Sequence, residues 1–322
     1  MAYCIGIDEA GYGPNIGPLV IAATLWRVPD ELPDDELYPA LKKVVAKVPR
    51  AGKRPDKRLW LADSKAVYST AVGLGNLELG VLAALAAAGL RPRTLRALLD
   101  DLQSGCHATL WDRPWHCDAE FAMPLAADEA NIDDALARFG PGLAACGVEL
   151  LRMQARVVFP CEYNSSIDRL ANKSTLLTCE SLGLVRSLLA RCEEGVVRVA
   201  CDKHGGRNTY ASALQEFVFD GLVQTVCEAR DESVYRFRDE RRSVEIGFRV
   251  GGENRLPTAL ASMTAKYVRE VSMHAWNVFW RRHLPDLKPT AGYSVDSHRF
   301  RRDIEQTAAA LNLPQAMWWR SR

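Results

Sequence analysis

Four carboxylates and a few hydroxyl and amine side chains are the residues of this chain best suited to chemistry. Asp8 and Glu9 lie side by side after the apolar run YCIGI, and a glycine-spaced turn, Gly11-Tyr12-Gly13, follows them. Asp202 ends a second apolar run, VVRVACD. Glu270 lies in LPTALASMTAKYVREVSMHAWNVFWRRHL, whose pattern predicts one long amphipathic helix. There Ser262, Lys266 and Glu270, four residues apart, form a single stripe. Grouped carboxylates repel one another unless a cation lies between them. Magnesium takes hard oxygen ligands, usually a few carboxylates with water and substrate phosphate. Two such ions about 3.5–4 Å apart can activate water and stabilise the leaving oxygen of a phosphodiester. Acids on Mg²⁺, with Lys266 and Ser262 on phosphate, are the chemistry these residue types offer. Each also has a plainer role: a strand-end acid caps a helix or sits in a solvated turn, and Lys266–Glu270 makes an ordinary i,i+4 pair.

These residues need elements to position them. YCIGI reads as a buried strand and PLVIAATLWRV as its hairpin partner, ending at Pro29. The linker 48–60 is rich in Pro and cations and reads as an exposed loop. LELGVLAALAAAGL and RPRTLRALLDDL predict a helical pair; 104–131 predicts an irregular insertion. Trp111 and Trp115 there either stack on bases or pack the insertion onto the body. LLRMQARVVF and VVRVACD predict strands, with a long helix starting near Asn172 or Ser174 between them. NTYASALQEFVFDGL reads as a helix, VYRFRDERRSVEIGFRV as an antiparallel pair, and SHRFRRDIEQTAAALN as a last helix. Strands and helices alternating after a hairpin predict a mixed α/β sheet covered by helices. If the two acid-bearing strands are neighbours, Asp8 and Asp202 face one mouth, where ligands of such sheets gather.

The chain has 322 residues, enough for one large domain or two small ones, and a formal charge of +1. That balance neither announces nor excludes a nucleic-acid partner, which responds to local patches. Arg299, Arg301 and Arg302 cluster beside His298, and the sequence closes on Trp318 and Trp319, suited to the core or to a partner contact. Nine scattered cysteines without a CxxC argue against a disulfide framework or zinc site, and for reduced thiols in a cytoplasm. Cys106-His107 and His116-Cys117 lack ligand spacing. No secretory leader pattern precedes the first strand, no apolar run reaches the ~20 residues of a membrane span, and there is no GxxxxGK[ST] loop.

GIDEAGYGPNIGPLVIAA resembles the opening signature of the type 2 ribonuclease H family, where an Asp-Glu pair precedes a Gly-x-Gly turn and a Gly-Pro strand. LADSKAV, SSIDRLANKSTLL, RVACDKHGGRN, VGGENRLPTALASMTAKYVRE and AGYSVDSHRF resemble further family segments in the same order. The resemblance covers roughly 1–30, 60–70 and 150–305. It implies a ribonuclease H-like mixed sheet flanked by helices, forming one domain over 1–322 with a largely helical insertion at 70–149 and a helical extension at 285–322. It implies cleavage of RNA in RNA–DNA hybrids, or 5′ to a ribonucleotide embedded in duplex DNA, with two Mg²⁺ or Mn²⁺ ions. Carried over, Asp8, Glu9, Asp202 and Glu270 become metal ligands. Ser64, Lys65, Ser262 and Lys266 belong to the phosphate side, and Asn172 makes a backbone or structural contact. Gly11 and Gly13 keep room for the sugar. Glu270 stands where the family usually has Asp, and Tyr12 where it usually has Arg. Tyr12 and Tyr293 either meet the substrate's minor-groove side or pack on the surface. The altered residues leave open a nuclease of the same fold acting on DNA or structured RNA, and a catalytically silent nucleic-acid-binding protein.

Overall fold

A computed structural model describes residues 1–48, 56–103, 113–117, 121–170 and 172–321. Trp111, Cys106, His107 and the middle of the 48–60 linker lie outside the described residues. The strands are β1 (Ala2–Ala10), β2 (Leu19–Val28), β3 (Val45–Ala46), β4 (Leu59–Trp60), β5 (Glu149–Val158), β6 (Gly195–Asp202), β7 (Gln224–Glu228), β8 (Glu232–Arg238) and β9 (Arg242–Arg249). Seven of them form one sheet in the order β5-β2-β1-β6-β9-β8-β7, and β3 and β4 pair separately. β1, β2 and β5 make an antiparallel meander; β6 and β9 add parallel to β1, and β8 and β7 extend the edge antiparallel. This is a mixed α/β sheet flanked by helices, as the sequence predicts.

Alternation along β1 sends Ala2 and Cys4 to one face and Tyr3, Ile5 and Ile7 to the other. The helix Leu256–His283 covers the first face and the helix Lys173–Leu189 packs on the second. The long helix crosses β1 at Gly6, where a Cβ would stand 2.0 Å from the Pro257 carbonyl carbon. Two hydroxyls pin the crossing: Thr24 donates to the Pro257 carbonyl at 2.8 Å and Thr258 to the Ala200 carbonyl at 3.2 Å. From there, Gly6 to Asp8 along the strand and Thr258 to Ser262 along the helix each rise about 6–7 Å. The crossing therefore delivers Ser262 beside Asp8.

Within 104–131, where the sequence predicts irregular chain, Pro114–Cys117 forms a helical turn and Glu129 begins a helix that runs to Ala144. Asp128 caps it, accepting from the Ala130 N–H at 2.9 Å. A further helix, Pro160–Leu170, precedes the one capped by Asn172. Trp115 packs edge-on against Trp276 with ring centroids 4.7 Å apart, and Trp318 and Trp319 are buried in the same aromatic cluster. Of the two roles open to each in the sequence, packing is the one they take.

Candidate active site

β1 and β6 are parallel with Ile7 opposite Cys201, so Asp8, near the end of β1, and Asp202, the last residue of β6, stand at equal height and on the same face. Asp8 is buried, its Oδ1 accepting from the Glu9 N–H at 2.8 Å. The Ser262 hydroxyl faces the Asp8 carboxylate and lies 3.1 Å from the Ser64 hydroxyl. Ser64 opens the short helix Ser64–Val67, capped by Asp63, which accepts from the Lys65 N–H at 3.1 Å. Asp202 Oδ1 accepts from the Gly252 N–H at 3.2 Å.

The acids of the mouth raise one another. Burial pushes the Asp8 carboxyl well above its ordinary range, and the charges of Glu9 and Asp202 add to it. Burial and then Asp202 push Glu9 up. Burial also raises Asp202, against the lowering pull of the Gly252 and Lys203 N–H groups. Lys65 is raised by Asp63 first, then by Glu253, Asp8 and Asp202. It is the cation that the acids share.

Asp8, Glu9, Asp202, Ser64, Lys65 and Ser262 therefore come together. Glu270 stands apart from them. It lies eight residues beyond Ser262, about 12 Å further along the helix axis. Its carboxylate accepts from Lys266 Nζ at 2.6 Å and from the Tyr68 hydroxyl at 2.8 Å, and Lys266 sits 4.7 Å from the centroid of the Tyr68 ring. Among the described residues, no three His, Cys, Asp or Glu side chains stand as a group that could hold a metal ion. The donor set at the mouth is nevertheless all oxygen and mutually repelling, which fits a hard divalent cation in chemical type.

The turn after β1 borders this mouth. Gly11 is buried with φ +86°, a conformation that favours glycine, and Gly13 is exposed. Tyr12 is half-buried, with Lys173 Nζ 4.9 Å from its ring centroid and its hydroxyl over Gly205, where a Cβ would approach to 2.8 Å. Burial, then Tyr163 and Glu9, raise the Tyr12 hydroxyl, which places it within the field of the acids. Tyr293 is 49% exposed and follows Gly292, whose carbonyl accepts from Asn15 and Ile16 of the turn at 3.0 and 3.3 Å. Asn172 is exposed and caps its helix, its Oδ1 accepting from the Thr175 N–H at 2.7 Å.

Several residues here escaped the sequence reading. Glu253 adds a negative charge beside Asp202 and Lys65; the glycine pair of GGEN was its one signal. Tyr68 follows LADSKAV directly but carries no mark of its contact with Glu270. Arg269 and Arg320, both buried, hold carbonyls of the turn after β1.

Sheet and mouth together define a mixed α/β protein with carboxylates gathered toward the C-terminal ends of two neighbouring central strands. No protein-family model and no curated relative matches the chain. Solved structures do. Ribonuclease H2 from Pyrococcus horikoshii OT3 is 14% identical, over 98% of this chain and 92% of that one, with a TM-score of 0.46. Ribonuclease HII in the PCNA:RNase HII complex from Archaeoglobus fulgidus is 15% identical, over 99% and 94%, with a TM-score of 0.43. Bst-RNase HIII in complex with Mn²⁺ is 15% identical, over 99% of this chain and 66% of that one, with a TM-score of 0.40.

Proposed function

We propose that the chain is a metal-dependent endonuclease of the type 2 ribonuclease H kind. It cleaves the RNA strand of RNA–DNA hybrids, or 5′ to a ribonucleotide embedded in duplex DNA, leaving a 3′-hydroxyl and a 5′-phosphate. The observation that carries this reading is the pairing of Asp8 and Asp202 at one height on neighbouring parallel strands, over Ser262 and Ser64. Asp8, Glu9 and Asp202 are the residues that would hold Mg²⁺ or Mn²⁺; Glu270, tied to Lys266 and Tyr68 about 12 Å further along the helix axis, stands outside that set. Divalent ions bound there supply the charge that activates water and stabilises the leaving oxygen.

The chain's own groups do the rest. The Glu9 N–H holds the Asp8 carboxylate and the Ser262 hydroxyl stands beside it, so its orientation is set before substrate arrives. Lys65 balances the acids when the site is empty and turns to a phosphate oxygen when it is filled. The Gly11–Gly13 turn admits the sugar beside the mouth, between Tyr12 and Tyr293. A cytoplasmic setting agrees with the free cysteines among the described residues; no described helix is long and apolar enough to cross a membrane.

The test is cleavage of two matched duplexes, one all-DNA and one with a single embedded ribonucleotide, in Mg²⁺ and in Mn²⁺. Selective cutting of the second, lost in Asp8→Asn and Asp202→Asn, is expected. Persistence of Mn²⁺-dependent cutting in either variant overturns the mechanism. Equal cutting of both duplexes favours the second reading, a nuclease on DNA or structured RNA. The contacts of Tyr12 with Lys173 and Gly205 motivate that reading, because they fix its ring where the family has a cation.

A further inference from the structure

The turn that carries Tyr12 is shaped from behind by the last segment of the sequence. Arg320 donates through Nη1 to the Gly11 carbonyl at 2.6 Å, and through Nε and Nη2 to the Gly17 carbonyl at 3.1 and 2.7 Å. Its N–H donates to the Asn15 carbonyl at 2.8 Å, and its neighbour Trp319 forms an antiparallel bridge with Ile16. Arg269, from the long helix, donates to the carbonyls of Pro18 at 2.9 Å and Ile16 at 3.3 Å. Both guanidinium-bearing residues are 1% exposed. Burial, and then the charge of Arg269, pushes Arg320 down to about 9.

The carbonyls of Gly11, Ile16, Gly17 and Pro18 are thus drawn inward. A planar peptide sets its N–H opposite its carbonyl. The N–H groups of Tyr12 and Gly17 therefore point away from the two guanidinium groups. An outward N–H at Tyr12, above buried positive charge, suits an anionic or hydroxyl-bearing ligand. The fork of one guanidinium spans two carbonyls that a point ammonium cannot hold together.

We propose that Arg320 is a positioning residue for substrate recognition: by clamping the Gly11 and Gly17 carbonyls it holds the turn that presents Tyr12 and its N–H to the sugar beside the scissile phosphate. This rests on the nuclease reading above. Arg320 touches neither the acids nor the substrate, so its loss should leave the carboxylate cluster and general duplex binding intact.

Arg320→Lys and Arg320→Gln test it. The readouts are kcat and KM on a duplex with one embedded ribonucleotide in Mn²⁺, anisotropy binding of the matched all-DNA duplex, and the Mn²⁺-induced shift in thermal midpoint. We expect kcat/KM to fall about 100-fold in both variants, mainly through kcat, with all-DNA binding and the Mn²⁺ shift unchanged. Cooperatively folded variants with unchanged kcat/KM overturn the proposal, and so does an equal loss of binding to the all-DNA duplex. If neither variant folds, Arg320 is a core group and the positioning role is refuted. A wild-type protein that cuts no ribonucleotide-bearing duplex overturns the nuclease reading, and this inference with it; variants indistinguishable from an active wild type overturn this inference alone.

Discussion

The Tyr68 hydroxyl donates to Glu270 Oε2 at 2.8 Å while Lys266 Nζ holds the other oxygen of that carboxylate at 2.6 Å. Glu270 is thereby tied on the flank of the long helix. Removing the hydroxyl in Tyr68→Phe frees one oxygen. With that carboxylate about 12 Å along the helix axis from Ser262, we expect the concentration of Mn²⁺ giving half-maximal cleavage to stay unchanged. A fall of about tenfold, the equivalent of one hydrogen bond to a charged group, would bring Glu270 into the ligand set.

Asp8→Asn should separate function from stability. The variant keeps an oxygen to accept from the Glu9 N–H but loses a buried negative charge that Glu9 and Asp202 repel. Cleavage is expected to drop about 1,000-fold, while the thermal midpoint in EDTA rises by about 2–4 °C. A fall in the midpoint would mean that the charge is stabilised by a partner other than a metal.

The acids also set a pH dependence whose sign can be stated. In the unfolded chain Asp8 and Glu9 titrate near 3.8 and 4.5; in the folded protein both are raised, Glu9 to about 7. The folded state holds protons that the unfolded chain releases. Their stabilisation is complete below the unfolded values and is lost as pH rises through about 7. His204, which burial holds down at about 3, acts oppositely, its contribution being lost as pH falls below 6.5. Comparing Mn²⁺ with EDTA at each pH cancels the His204 effect. The Mn²⁺-induced rise in the unfolding midpoint should be larger at about pH 8 than at about pH 5. Equal rises at both would remove these carboxylates from the ligand set.

Glu78 is fully buried in the helix Gly75–Ala87, and its carboxylate accepts from four donors. These are the N–H groups of Leu125, Ala126 and Ala127 at 2.7, 2.6 and 2.7 Å, and the Tyr267 hydroxyl at 2.7 Å. It ties the 70–149 region to the long helix that carries Ser262. Glu78→Ala leaves all four donors without this partner and should cost about 3–5 kcal/mol in a denaturant titration. A loss below about 1 kcal/mol would show that water replaces the carboxylate.

Much of the scaffold was legible because its signals are local. The apolar runs ending in Asp8 and Asp202 have strand length, the 256–283 stripe has helical period, and Asn172 carries a capping residue's chemistry. The helix at Glu129–Ala144 was harder to read, since it contains Gly140, Pro141 and Gly142, which ordinarily break a helical pattern. Glu78 reads as an unremarkable helical acid because its donors lie 47 to 49 residues and 189 residues away.

The sequence by itself determined which groups could do chemistry: the adjacent Asp8 and Glu9, the strand-end Asp202, the Ser262–Lys266–Glu270 stripe and the glycines of the turn. Residue type and short spacing decide those, and both are written along the chain. Only the tertiary structure decided which of them meet. The parallel register of β1 and β6 sets Asp8 level with Asp202, and the crossing at Gly6 brings Ser262 to Asp8. The same structure ties Glu270 to Tyr68 and clamps the turn from Arg320, 309 residues beyond Gly11. Contacts across such separations depend on how whole elements pack, and no local pattern encodes that.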